Sequence, residues 1–325
     1  MPQRSSVAGM PRLLLLSIIM FTGTGTALST PFNADGSIDF ASLGRLIDTQ
    51  LAARVEALVP CGSTGESATM SNDERLAVIG FTVEKARSHE AYRPSVIAGT
   101  GSNVTSQTID LSRQAARLGV DAVLLVSPYY NKPGQSGLLE HFGAIARALP
   151  DLPIVLYNVP SRTGSNIAAG TTVELARRHE NVVAIKEASG DFDQCSMIIR
   201  DAPEMFNLLS GEDSLTLPLI AIGARGVIAV VSNEAPYEFG EMVRAALSGD
   251  FAKAQSLHLR LFELMRANFI ESNPVPVKEA LHMMGIFSGA HFRLPLIGLS
   301  ETNREHLRGV LERLDKTTRE NAVIA

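Results

Sequence analysis

One lysine stands where a buried strand is expected. In VVAIKEASGD, residues 182–191, four apolar residues run into Lys186, and Glu187 and a small-residue turn follow. An ammonium held in a barrel interior is desolvated, which favours the free amine. A free amine attacks a carbonyl carbon and forms a Schiff base. The iminium draws electrons from the neighbouring carbon, so a carbon–carbon bond can be made or broken without a metal. The bland alternative is a lysine snorkelling from a strand end beside Glu187.

Other groups suit the same chemistry. PIVLYNVPSRTG carries Tyr157, whose hydroxyl can move protons near an imine, and Arg162, whose guanidinium can clamp a carboxylate. Each has an ordinary reading as well, a core ring and a surface-loop arginine. GSTGES places Ser63 and Thr64 between glycines, either a plain turn or a nest of hydroxyls and N–H groups for a small carboxylate. Glu66 in that motif reads as a group that fixes the loop. SPYYNKP offers Tyr129 and Tyr130, and because adjacent side chains diverge, one of them at most serves a site. No histidine joins these residues, which disfavours a histidine triad or a zinc site, and no glycosidase-type carboxylate pair is seen.

These residues need a scaffold that brings strand ends together. Eight apolar runs supply it: 24–30, 56–62, 94–101, 121–130, 153–160, 182–189, 206–213 and 225–233. Their continuous apolar character suits parallel strands covered on both faces. Amphipathic stretches separate them, with Leu43, Leu46, Ile47 and Leu51 at helical spacing in the first. Ser71 and Glu74 form a capping box at the start of the second, and Gly119 ends the third. Eight strands alternating with helices predict a (β/α)8 TIM barrel, whose active residues sit at the C-terminal strand ends. No Gly-rich dinucleotide fingerprint follows the first strand. After residue 248 the strand signal stops, and three more helices predict a C-terminal helical extension. The expected organisation is an extension over 1–19, a catalytic barrel over 20–248 and a helical domain over 249–325.

Composition narrows the function classes. The chain has 325 residues, 45% hydrophobic and 19% charged, with a net charge of −5. An acidic surface argues against a nucleic-acid partner. Two cysteines, Cys61 and Cys195, form neither metal spacing nor a disulfide framework, so a reducing cytoplasm is expected. The first residues, MPQRSSVAGMPRLLLLSIIMF, hold two arginines and a short apolar run. That run is too short to span a bilayer. A secretory signal is one reading. A cut after the run would enter the first strand, so a dispensable extension is preferred.

Together GSTGES, VIAGTGSN, PYYNKP, LYNVPSRTG, IKEASGD, LLSGEDS, GVIAVVSN and NPVPVK resemble the dihydrodipicolinate synthase / N-acetylneuraminate lyase family of class I pyruvate-dependent aldolases. The resemblance runs from about Met20 to Lys316. It implies that Lys186 forms the Schiff base with pyruvate and that Tyr157, Ser63 and Tyr130 relay protons, Tyr130 from a neighbouring subunit. It implies that Thr64 holds the pyruvate carboxylate and that Gly211 and Ile228 line the pocket with backbone groups. Arg162, in the YNVPxRTG form, implies the branch that condenses pyruvate with L-aspartate-4-semialdehyde on the route to lysine and diaminopimelate. A homotetramer built as a dimer of dimers is implied, with no cofactor. The chain departs from that branch at Ser63, where a threonine is usual, which keeps open a sister aldolase or dehydratase acting on a sugar acid. A keto-acid sensor without turnover is the reading from another class. Asn72, Arg75 and Gln107 replace the two histidines and the glutamate of lysine-sensitive members, while Asn103 and Tyr129 match, so weak or absent lysine inhibition is expected.

Overall fold

The computed structural model describes residues 22–89 and 92–317. The expected extension over 1–19 lies outside the described residues. Eight strands form a closed parallel barrel in chain order: β1 Gly23–Ala27, β2 Ala57–Val59, β3 Ser95–Gly99, β4 Ala122–Val126, β5 Ile154–Asn158, β6 Val182–Glu187, β7 Asn207–Ser210 and β8 Gly226–Ala229. The ring closes where β1 pairs with β8, Gly25 opposite Ile228. Each strand falls on one of the eight expected runs, β1 starting one residue before its run.

Side chains on a strand alternate between faces, and in a closed barrel those faces are the interior and the helix layer. Val155 and Tyr157 point into the interior cluster, with Leu124, Leu209 and Ile228. Ile154, Leu156 and Val123 point outward into the larger core beneath the helices. On β6 the register against β5 shifts, so that Ile154 faces Val182 while Val155 faces Ala184. Val183 and Ala184 both join the interior cluster across this irregularity. Two residues beyond Ala184, Lys186 falls on the inward face at the mouth, while Ile185 belongs to the outer core.

Helices connect the strands, each with its apolar face on the barrel. The helix Asn72–Ser88 begins with the expected capping box: Ser71 Oγ accepts from Glu74 N, and Glu74 Oε2 accepts from Ser71 N. Helix Thr105–Arg117 stops two residues before Gly119, whose φ is +87°. The stretch 213–221 is a 3-10 turn Asp213–Leu215 followed by the short helix Thr216–Ala221. The turn forms because the Asp213 side chain is drawn inward to backbone N–H groups of the β8 end. Beyond residue 249 come helices Phe251–Ala267, Val275–Met283 and Glu301–Arg313. Leu264, Leu281 and Leu311 from these helices join the same outer core as Leu43 and Phe142 of the barrel helices. Among the described residues no helix is long and apolar enough to cross a membrane.

Candidate active site

The C-terminal strand ends enclose a cavity of about 330 Å³. Lys186 stands in its wall with only 5% of its surface exposed. Its Nζ lies 4.6 Å from the centroid of the Tyr157 ring, a consequence of the direct pairing of Tyr157 with Lys186 across β5 and β6. Among the described residues no carboxylate is within salt-bridge distance of Lys186. Glu187 does not serve as its counter-ion. One residue on along the strand, it faces the helix layer, where it accepts from Asn158 Nδ2 at 3.0 Å, Gln194 Nε2 at 2.9 Å and the Ser189 N–H at 2.7 Å. The reading of Lys186 as a lysine snorkelling from a strand end beside Glu187 therefore does not describe this buried side chain.

Ser63 and Thr64 reach the cavity on the loop after β2. The loop is bent through left-handed residues at Cys61 and Glu66, with φ of +59° and +51°. Glu66 holds it from below by a fully buried ion pair with Lys278 of the C-terminal helices, whose Nζ also lies 4.2 Å from the Phe32 ring centroid. Burial raises the Glu66 carboxyl against the pull of Lys278, and burial lowers the Lys278 ammonium against the pull of Glu66. Glu66 thus fixes the loop, as its position in the motif suggested.

Arg162 lines the cavity from a single helical turn, Pro160–Thr163. Pro160 at its start has no N–H to satisfy, and Gly164 closes it at φ +65°. Arg162 Nη2 donates to the Asn273 carbonyl at 3.2 Å, and no carboxylate pairs with it among the described residues. Gly211 also lines the cavity. A Cβ there would stand 2.6 Å from the Ala188 Cβ, so glycine is what lets the β7 end close on β6.

Two expected residues lie elsewhere. Ile228 is buried deeper in the barrel and lines a small cavity with Gly25 and Glu56. Val230, two residues on and beyond the end of β8, takes the place in the wall. Tyr130 is 90% exposed on the loop after β4, with φ +70°, and is not among the residues lining the cavity of its own chain.

Sequence reasoning passed over Asn273. It was visible only as part of NPVPVK, about 200 residues from the loop it serves. Its Nδ2 donates to Thr64 Oγ1 at 3.0 Å, while its carbonyl accepts from Arg162. With its oxygen occupied as an acceptor, the Thr64 hydroxyl keeps its proton to offer to an anion. Phe269 and Glu212 complete the wall. The arrangement is an amine in a mostly enclosed pocket, hydroxyls from Ser63, Thr64 and Tyr157 around it, and at one side a guanidinium without a carboxylate partner among the described residues. It suits covalent capture of a small keto acid and reception of a second anionic substrate.

Comparison with known proteins agrees. The sequence profile of the dihydrodipicolinate synthetase family matches residues 20–314. A 4-hydroxy-tetrahydrodipicolinate synthase of Syntrophotalea carbinolica is 49% identical over 292 residues, 90% of this chain and 97% of the relative. The crystal structure of dihydrodipicolinate synthase from Aquifex aeolicus is similar with a TM-score of 0.88 and 44% identity, covering 91% of this chain and 99% of that one. A structure described as the first monomeric dihydrodipicolinate synthase variant gives a TM-score of 0.87 at 43% identity, over 90% of this chain and 97% of its own.

Proposed function

The chain belongs to the dihydrodipicolinate synthetase family, and on that premise we propose that it condenses pyruvate with L-aspartate-4-semialdehyde. The enzyme is a lyase of the class I aldolase type, and its reaction lies on the route to lysine and diaminopimelate. One observation carries the reading most directly: Lys186 is nearly buried in the cavity wall beside Tyr157, with no carboxylate paired to it among the described residues.

The Lys186 amine attacks C2 of pyruvate, and the carbonyl oxygen leaves as water. The iminium acidifies the adjacent methyl group, and loss of a proton gives an enamine. The enamine carbon adds to the aldehyde carbon of the second substrate. That substrate's own amine then displaces Lys186 and closes the ring, giving (4S)-4-hydroxy-2,3,4,5-tetrahydrodipicolinate. Tyr157, Ser63 and a partner's Tyr130 move the protons. Thr64 holds the pyruvate carboxylate, with Gly211 at its side, and Arg162 holds the carboxylate of the semialdehyde. Asn273 sets the spacing between these two anion sites, because it is bonded to both residues.

The proposed assembly is a homotetramer, a dimer of dimers. It is supported by Tyr130, an exposed aromatic held at a positive φ with no contact to its own cavity. Non-glycine residues at such φ carry strain that is retained where a site uses it. On this reading residues 20–248 are the catalytic barrel and 249–325 a helical domain that sends Asn273 to the pocket. A cytoplasmic location agrees with the free, buried Cys61 and Cys195.

Pyruvate with borohydride should tag the peptide containing Lys186, and a coupled assay with L-aspartate-4-semialdehyde should show turnover. Absence of the tag would overturn the Schiff-base chemistry. Tagging with turnover only of other aldehydes would favour the sugar-acid reading, for which Ser63 is the specific observation.

A further inference from the structure

Asp213 is a buried acid that the reading above leaves unused. It opens the turn after β7, two residues beyond Gly211. Its Oδ1 accepts the N–H of Val230 at 3.1 Å and its Oδ2 the N–H of Val231 at 2.7 Å. Val230, Gly211 and Glu212 all line the cavity, so the carboxylate stands just behind the wall on two sides. It is buried, and among the described residues no cation is within salt-bridge distance of it. The charges that act on it are Lys186 from β6, Glu212 from its own loop and Glu234 from the loop before helix Pro236–Ser248. Asn268 donates to Glu234 at 3.1 Å, and Lys316 acts on Glu234 as well. Burial pushes the Asp213 carboxyl up to about 7, against the pull of the two N–H groups and of Lys186 and with the push of Glu212. Burial likewise holds Glu234 well above the usual carboxylate range.

Two backbone N–H bonds are a poor substitute for a cation when a buried carboxylate ionises. The missing cation is the one the reaction makes. We propose that Asp213 is the counter-charge that keeps the Schiff base on Lys186 protonated, held in place by the N–H groups of Val230 and Val231. The proposal rests on the Schiff-base reading of Lys186. The protonated iminium is the form that withdraws electrons, so a nearby anion sustains catalysis without touching substrate. The balance closes within the site. A C–N bond forms from the amine and C2 of pyruvate, and the C–O bond breaks. Hydroxide leaves with the Asp213 proton as water. The products are an iminium cation and an Asp213 carboxylate, with no change of net charge. Asp213 is a positioning residue in this scheme, acting through Lys186.

Cyanoborohydride reduces the protonated iminium in preference to the neutral imine, so its trapping rate with pyruvate reads the protonated fraction. The unaltered enzyme should hold its trapping rate toward alkaline pH. Asp213→Asn should lose the rate at lower pH, trapping about 10-fold more slowly at about pH 8, the effect of one unit in the imine's acidity. A purely structural role would lower trapping by the same factor at every pH, and that result, or an unchanged profile, overturns the proposal. Infrared difference spectra of the unaltered enzyme give a second measurement that does not depend on the variant folding. Addition of ¹³C-labelled pyruvate on the acid side of neutrality should remove a protonated-carboxyl band, and no loss of that band would also overturn it. Failure of the unaltered enzyme to trap pyruvate at all would refute the Schiff-base reading itself, a distinct outcome.

Discussion

Replacing Lys278 with methionine tests how the Ser63–Thr64 loop is held. Lys278 and Glu66 are fully buried and paired, and Glu66 carries the Ser63–Thr64 loop. Methionine keeps most of the volume and the contact with Phe32, so the cavity penalty is small. What is lost is the partner of a buried carboxylate, worth about 3–5 kcal/mol when one member of such a pair is removed. The cost has a predictable pH dependence. Burial already raises Glu66, and Lys278 is the largest influence pulling it down. Without Lys278 the folded protein keeps a proton on Glu66 that the unfolded chain releases near its ordinary value of about 4.3. A native state that binds more protons than the unfolded one loses stability as pH rises. Lys278→Met is therefore expected to lie close to the unaltered protein in mildly acid solution. The full deficit should appear at neutral pH, once Glu66 must either ionise unpaired or hold its proton at a cost. Adding Glu66→Gln should recover most of the loss and flatten the pH dependence. Urea unfolding followed by circular dichroism at the two pH values measures this. A neutral-pH deficit below about 1 kcal/mol, the level of an exposed pair, or one independent of pH, would refute the account.

Arg162→Ala should lower kcat/KM for the semialdehyde by about 10–100-fold, the worth of a hydrogen bond to a charged group, while pyruvate trapping on Lys186 stays unchanged. If Tyr130 serves a neighbour's cavity, Lys186→Ala and Tyr130→Phe chains, each impaired alone, should regain activity when co-assembled, because one cavity of a mixed dimer has both groups. No recovery in verified mixed dimers would count against the shared site. Free lysine at sub-millimolar concentration should leave the rate unchanged: Gln107 offers no acid to lysine's ammonium, and Arg75, in place of a histidine, turns its guanidinium to the Gly99 carbonyl, 2.8 Å away. Inhibition in that range would overturn this.

Much of the architecture can be read locally. Each parallel strand is covered on both faces, so its apolar run is continuous and stands out from the amphipathic helices around it. The capping box at Ser71 and Glu74 involves residues three apart and needs nothing distant. Lys186 could be found because a lysine in such a run contradicts its surroundings, and the count of eight runs placed it at a barrel mouth. Tyr157, Arg162, Ser63 and Thr64 followed from the same rule about strand ends.

Other features depend on closure of the ring and on chain segments far apart. Whether Glu187 or Lys186 faces the interior turns on the irregularity between β5 and β6, a one-residue matter that an apolar run does not encode. Asn273 meets Thr64 and Arg162 only because the C-terminal helices dock on the strand ends. The same docking finds Glu66 its Lys278. Val230 rather than Ile228 lines the pocket because the wall continues past the end of β8. Types and spacing of residues therefore determined the barrel, the candidate lysine and the kind of chemistry. The tertiary structure decided which charges are paired and which are left free to act, since burial and long-range partners set that balance and neither is a property of neighbouring residues in the chain.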